Sequence, residues 1–472
     1  MKIKHTEIKI NAAEPFANCE LDREKYASVL SKIVETYADG FVLAINNEWG
    51  TGKTTFVKMW QQDLKNNGFQ TIYFNAWEND FDNNPLVAIM SELSELKTLT
   101  DQKNEKTFDS VIEKGAILAK NILPALIKAV ANKYFDSEML IETFENATKG
   151  AMEIFEKDIH EYTTKKNTVK EFKEELEKFV KETGKGKPLV FIIDELDRCR
   201  PDYAVEVLEQ IKHFFSVPGI VFVLSIDKNH LASSIKGYYG SEGINTDEYL
   251  RRFIDLEYSI PKPSTKQFCK YLFDYYSFND FFISKDFFIS KTRNNNREHV
   301  NDSKPFLLMA ELLFEKSNAT LRQQEQIFAL TRLILSSFSP NQYTFSELLF
   351  VLVYLKTMKN QLYQDISSNA YDLQALSDIF EDLLPFDSIF VGINLYHQKA
   401  LLLHLYYNNR KDNRFDAKAE LELIHKIKSK SEREAERNGF INLFIKVQDD
   451  FCHITLDFLL EKIDLTLLVN KA

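Results

Sequence analysis

Short apolar runs rich in β-branched and aromatic residues recur along the first half of the chain, at 41–45, 71–74, 189–193, 220–226 and 253–260. Each is short and they are mostly without the apolar–polar alternation of a half-exposed strand, as strands covered on both faces should be. The stretches between them carry helical periodicity, the pattern of a parallel, doubly wound α/β sheet. One crossover is oversized, because about 110 residues separate the runs at 71 and 189 where a βαβ unit needs a single helix. A helical insertion over about 83–187 is expected. In its last helix Phe172, Leu176, Phe179 and Val180 share one face, with Lys173/Glu177 and Glu174/Lys178 as exposed i,i+4 pairs. Gly184 and Pro188 then end the helix and lead into the next strand.

Beyond Pro261 and Pro263 the pattern turns helical to the end of the chain. The apolar run 348–355 reads as a buried helix, the phenylalanine-rich stretch 273–288 as core or interface, and the asparagine-rich break at 292–304 as an exposed loop. Two domains are expected, 1–262 and 263–472.

Glycine sharpens this division. There are 14 in 472 residues, about 3% against a usual 7%, and twelve precede residue 244. Glycine marks tight strand-to-helix turns, so its distribution separates an α/β first half from a packed helical second half. At 44% hydrophobic and 27% charged the chain is an ordinary globular protein, which excludes disordered, collagenous and disulfide-scaffold classes. The net charge of −11 does not indicate nucleic acid as a partner, although a local basic groove would survive within that total. Cys19, Cys199, Cys269 and Cys452 are widely spaced and form no zinc or redox motif, which suits a reducing cytoplasm. The first 24 residues lack a signal-peptide core, and the most apolar long stretch, 115–131, contains Lys120, Asn121, Pro124 and Lys128. No membrane span is expected.

The candidate chemistry begins where the first strand ends. Asn47, Glu48, Trp49, Gly50, Thr51, Gly52, Lys53, Thr54 and Thr55 stand between that strand and a helix-like apolar stretch. This is the strand–loop–helix setting of a phosphate-binding loop, in which backbone N–H groups and a helix N-terminus cradle the anion. Gly50 and Gly52 permit close backbone approach, Lys53 would bridge the outer phosphates, and Thr54 would ligate Mg²⁺. Asn47 occupies the first glycine position of the strict pattern, a small departure because asparagine tolerates positive φ better than other non-glycine residues.

The run at 189–193 ends in Asp194, Glu195, Leu196, Asp197 and Arg198. An acid closing a buried strand needs a partner, and Mg²⁺ beside the phosphate loop would supply one, so Asp194 is the expected metal residue, acting through a coordinated water. Glu195 is positioned to orient or deprotonate an attacking water, and Asp197 is the competing base. No N-K-x-D sequence is present for guanine, so ATP is the expected nucleotide.

Residues 47–55, then Phe74-Asn75-Ala76-Trp77, then 191–200, 220–227 and 249–256 resemble, in order and spacing, the KAP family of P-loop NTPases over about residues 20–262. The resemblance implies an AAA+-like core of five parallel strands in the signal-transducing (STAND) group, with another strand inserted between the phosphate-loop strand and the Mg-binding strand. It places Asp227 as a polar sensor, although a helix N-cap is an equal use for that residue. It also places Arg251 or Arg252 as an arginine reaching a neighbouring subunit's nucleotide, the alternative being a surface pair. Arg322 resembles a second sensor in a helical lid. Residues 20–26 resemble the segment near the adenine, with Asp22 capping the helix that follows.

Three functions compete at this point: an ATP-driven switch, an ATP-driven nucleic-acid motor or loader, and a nucleotide-dependent scaffold that does not hydrolyse. Glu195 disfavours the scaffold and the acidic balance disfavours the motor. The resemblance further implies homo-oligomers, a protein effector as partner, and a place in bacterial defence against phage or plasmids.

Overall fold

A run of apolar residues with no polar alternation can be buried only if both of its faces are covered, and the first unit of the chain is built on that requirement. The computed structural model describes residues 9–37, 40–96, 105–121, 149–184, 186–240, 243–283, 303–317, 319–339, 342–384, 394–409 and 430–468. These fall into two compact units that divide between Lys262 and Pro263.

The first unit holds strands β1 (Phe41–Asn46), β2 (Gln70–Asn75), β3 (Leu189–Asp194), β4 (Ile220–Ile226) and β5 (Leu256–Tyr258) in one parallel sheet of order β2-β3-β4-β1-β5. β4 therefore lies between β1 and β3. Alternate side chains of the central strands face opposite layers. Leu43, Ile45, Val190, Ile192, Val221 and Val223 pack on helices α1 (Glu24–Thr36) and α2 (Lys53–Asn66) through Leu30, Val34, Phe56 and Trp60. Ala44, Phe191, Ile193, Phe222 and Leu224 pack on the other side against residues of α3 (Pro85–Ser94), α4 (Glu105–Asn121), α5 (Lys149–Thr183) and α6 (Pro201–Gln210). Helices α7 (Lys228–Tyr239) and α8 (Thr246–Leu250) complete the unit.

The last strand is shorter than its apolar run suggests. β5 has only three residues and pairs with β1 alone, with Leu256 and Glu257 exposed. Phe253 and Ile260, which gave the run its apolar character, are buried in the turns on either side of it. Glu257 is held at this edge by Asn46 Nδ2 (2.7 Å) and Lys228 Nζ (3.1 Å).

In α5 the apolar face is as expected: Phe172, Leu176, Phe179 and Val180 are buried. The ion pairs differ, because Glu174 meets Lys170 (3.6 Å) and Glu177 meets Lys181 (2.5 Å). Each glutamate has a lysine four residues away on both sides, so the spacing alone leaves the partner open. Among the described residues no helix is long and apolar enough to cross a membrane; the stretch 115–131 lies outside them beyond residue 121.

Every regular element among the described residues of the second unit is a helix, from Thr265–Tyr275 to Asp457–Leu468. Its centre is aromatic: Phe273, Phe278, Phe306, Phe328 and Phe350 form a chain of ring contacts with centroids 4.8–6.0 Å apart. The helix Ser346–Met358 buries every residue from Leu348 to Leu355. The break at 292–304 lies outside the described residues except for Ser303 and Lys304, which open the helix Ser303–Lys316.

Candidate functional site

The C-terminal ends of β1, β3 and β4 lie side by side along one rim of the parallel sheet, and the buried charged residues Lys53, Asp194, Asp197 and Asp227 close or follow them. The loop after β1 turns on two glycines in the left-handed region, Gly50 (φ 78) and Gly52 (φ 80), and Gly52 is the N-cap of α2. A side chain at Gly52 would be strained by that φ, and its Cβ would stand 3.0 Å from Arg23 Nη1. The Lys53 ammonium donates to the carbonyls of Asn47 and Glu48. Burial lowers the pKa of Lys53, opposed by the charges of Asp197, Asp227 and Asp194, so three carboxylates already face this amine. Thr54 and Thr55 sit half-buried in the first turn of α2. Glu48 is exposed and accepts from Lys262 Nζ (2.9 Å).

Asn47 makes no use of asparagine's tolerance for positive φ. It uses its side-chain amide instead, with Nδ2 donating to the Ile260 carbonyl (2.8 Å) and Oδ1 accepting from the Ile260 N–H (2.9 Å). A glycine here could not make either bond.

Asp194, at the end of β3, is 1% exposed. One of its oxygens accepts from the Glu195 N–H (3.0 Å) and the other from the Tyr73 hydroxyl (2.9 Å). A carboxylate has about four lone-pair sites, so both oxygens retain accepting capacity. Glu195 turns out of the strand with φ 62, a left-handed step at a non-glycine residue. Its carboxylate accepts from Asn75 Nδ2 (3.2 Å) and pairs with Arg198 Nη1 (3.0 Å). Burial raises its pKa, with Arg198 opposing. Asp197 is also buried and accepts from the Trp49 indole N–H (2.5 Å). Burial raises its pKa too, and the Trp49 bond and the Lys53 charge oppose.

Asp227 caps α7 by accepting from the Asn229 N–H (3.1 Å), so the helix-cap use is realised; its second oxygen stands 3.9 Å from His230 Nε2. Asp22 is not the cap of α1. It has φ 53 and binds Lys25 (2.5 Å), and Arg23 occupies the N-cap position without a side-chain cap bond.

An aromatic–cationic stack flanks these carboxylates. The Trp49 ring lies parallel to His230 (centroids 3.7 Å, 5°), and the Arg198 guanidinium stands 5.7 Å from the Trp49 ring and 5.6 Å from the Trp77 ring. The segment carrying Trp77 is tied to the β3–α6 turn, since Asp80 accepts from the Arg200 N–H (3.1 Å) and Asn83 from its guanidinium (2.9 Å).

The structure thus brings together Asn47 to Thr55, Asp194, Glu195, Asp197 and Asp227. It does not bring Arg251 and Arg252 to the same edge: both are exposed on the turn before β5, where Asp255 N–H bonds Val42 O near the start of β1. Arg322 belongs to the second unit, exposed in the first turn of the helix Leu321–Leu335. Arg23, Tyr73, Arg198 and His230 were not singled out from sequence. Arg23 and Tyr73 join the site across the fold, whereas Arg198 and His230 each stand three residues from a site carboxylate.

The donor set suits a magnesium-bound polyphosphate. Asp194, Glu195, Asp197 and Asp227 outnumber the Lys53 and Arg198 cations around them, and a hydroxyl–carboxylate pair such as Thr54 and Asp194 is the oxygen chemistry Mg²⁺ takes.

Comparison with known proteins agrees with this arrangement. Residues 23–280, more than half of the chain, match the KAP family P-loop domain. An uncharacterized protein of Methanocaldococcus jannaschii is 29% identical over 182 residues, covering 33% of this chain and 89% of its own. Among solved structures, the Aeropyrum pernix ORC2 protein in its ADPNP–ADP complexes aligns with a TM-score of 0.34 at 14% identity, over 95% of this chain and 94% of that one. C. elegans PCH-2 aligns with a TM-score of 0.29 at 13% identity, over 73% and 70%. At those scores neither structure carries an argument about this chain, and the family match rests on sequence. With five parallel strands, a phosphate loop on β1 and an acidic turn after β3, the chain belongs to the KAP family of P-loop NTPases.

Proposed function

We propose that this protein binds Mg·ATP at the phosphate-loop edge of its sheet and hydrolyses it, and that it works as a switch of the KAP/STAND type. The observation that carries this reading is the convergence of Lys53, Asp194, Glu195 and Asp197 on one sheet edge, from segments about 140 residues apart in the chain. Lys53 would exchange its bonds to the loop carbonyls for phosphate oxygens, and Thr54 and Asp194 would hold Mg²⁺, which supplies charge neutralisation at the transferring phosphoryl group.

Glu195 is the proposed base. Its pairing with Asn75 and Arg198 holds the carboxylate at the site, where it can orient a water, and the pKa raised by burial makes it a stronger proton acceptor. Asp197 is already bonded by the Trp49 indole, which favours a role in holding the loop against the β3 turn. Arg251 and Arg252, exposed and remote from this chain's own loop, are proposed to act on the nucleotide of a neighbouring copy. Arg322 would sense nucleotide from the helical unit. As a cytoplasmic homo-oligomer the protein would control an effector in defence against phage or plasmids, a setting supported by the family alone.

The test is steady-state hydrolysis of Mg·ATP by Glu195→Gln and Asp197→Asn. Glu195→Gln should bind nucleotide while turnover falls by roughly 10²–10⁴. Unchanged turnover in Glu195→Gln with loss in Asp197→Asn would move the base to Asp197, and turnover that requires DNA would favour a motor.

A further inference from the structure

Arg23 is 5% exposed, lies directly behind the phosphate loop and has no ion-pair partner among the described residues. Its Nη2 donates to the Thr51 carbonyl (2.6 Å) and its Nη1 to the Gly52 carbonyl (3.0 Å). Its Nε–H is buried without a hydrogen-bond partner. A buried guanidinium facing carbonyls and no carboxylate is costly, and burial depresses its pKa accordingly.

Thr51 and Gly52 contribute consecutive peptide units, and in a trans peptide the C=O and N–H point in opposite directions. The Gly52 carbonyl also accepts from the Phe56 N–H (3.1 Å) in the first turn of α2, so the fork holds that plane together with the helix and the Thr51 plane by itself. Held this way, the N–H groups of Gly52 and Lys53 turn to the opposite side of the loop, away from Arg23. These two amides open α2, where an anion meets the helix N-terminus. The glycine at 52 belongs to the same device, because a Cβ there would meet the guanidinium at 3.0 Å.

We infer that Arg23 is a positioning residue for polyphosphate: its fork fixes the amide planes of the loop, and its uncompensated charge lies behind them and favours an anion in front. This deepens the nucleotide reading and rests on it. Arg23 spends its two Nη donors on the loop carbonyls and would act on phosphate through the loop, so its contribution should be the same for the bound substrate and for the transition state. Lysine keeps the charge but is a point donor on a flexible stem, and cannot replace a planar fork spanning two carbonyls.

The experiment is calorimetric titration of tripolyphosphate and of Mg·ATP into wild type, Arg23→Met, Arg23→Lys and Ser31→Ala, with thermal melting of each. Ser31→Ala removes the bond from Trp60 Nε1 (2.9 Å) between α1 and α2 and serves as a purely structural control. Arg23→Met should weaken both ligands by roughly 10- to 100-fold, and Arg23→Lys by an intermediate factor. In hydrolysis assays the loss should appear in KM, with kcat within about twofold. Ser31→Ala should melt earlier yet bind as wild type does. A folded Arg23→Met that binds tripolyphosphate as tightly as wild type overturns the inference; if that variant does not fold, wild-type affinity in Arg23→Lys overturns it as well. A wild type that binds neither ligand defeats the nucleotide reading itself, and this inference with it.

Discussion

Asn47 shows how one side chain can stand in for a glycine without imitating it. Its backbone stays out of the left-handed region, and its amide closes two bonds to the backbone of Ile260. Asn47→Gly restores the strict phosphate-loop pattern, yet it orphans an N–H and a C=O and adds backbone entropy to the unfolded chain. The variant should lose about 1–3 kcal/mol in urea denaturation and gain no affinity for ATP. A variant as stable as wild type would mean that the pairing with Ile260 contributes nothing. The loop glycines, Lys53 and Asp194 were legible in the sequence because the chemistry constrains their spacing tightly. The manner in which Asn47 acts was not, because it depends on a residue 213 positions away. Arg23 was silent for the same reason: an arginine at the start of an amphipathic helix carries no sign that it turns inward.

The buried strands β1 to β4 were readable almost to the residue, since a central parallel strand must be apolar on both faces. β5 is shorter than its apolar run because Phe253 and Ile260 are buried from the segments flanking the strand and not from the ladder, a distinction that hydrophobicity does not encode. Helix α6 carries a consequence of burial that its sequence hides. Glu206 is pushed up to about 7 by burial and by the nearby charges of Asp202 and Glu209. Glu209 is likewise pushed up to about 7 by burial, against a hydrogen bond from Tyr239. Both folded values exceed the ordinary glutamate value of 4.5, so between those limits the folded chain holds more protons than the unfolded one. Stability should therefore fall as pH rises from about 5 to about 8. Glu206→Gln combined with Glu209→Gln should flatten that decline, as read from urea midpoints at the two pH values. An unchanged slope in the double variant would show that other groups govern it.

In the whole molecule, the two units divide at Lys262 and Pro263, and the proposed catalytic groups of one chain all lie in the first. Arg251 and Arg252 are exposed on the turn before β5, beside the start of β1 and away from its C-terminal end, so their proposed action is on the nucleotide of a second copy. An arginine supplied in trans contributes about 10³–10⁵ in rate. Specific activity should then rise with protein concentration and collapse in an Arg251→Ala/Arg252→Ala variant that still binds ATP. Mixing that variant with Lys53→Ala protein should restore activity, because intact loops would meet intact arginines. Turnover that is independent of concentration and unrestored on mixing would show that each copy works alone.

All of this depends on the sheet edge being a nucleotide site, and calorimetric titration of Mg·ATP into wild type and Lys53→Ala decides that. Wild type should show saturable binding, and the variant, folded by circular dichroism, should bind at least about 100-fold more weakly, since the loop would lose its point charge for phosphate. Equal affinity in the two proteins, or no binding by wild type, would contradict it.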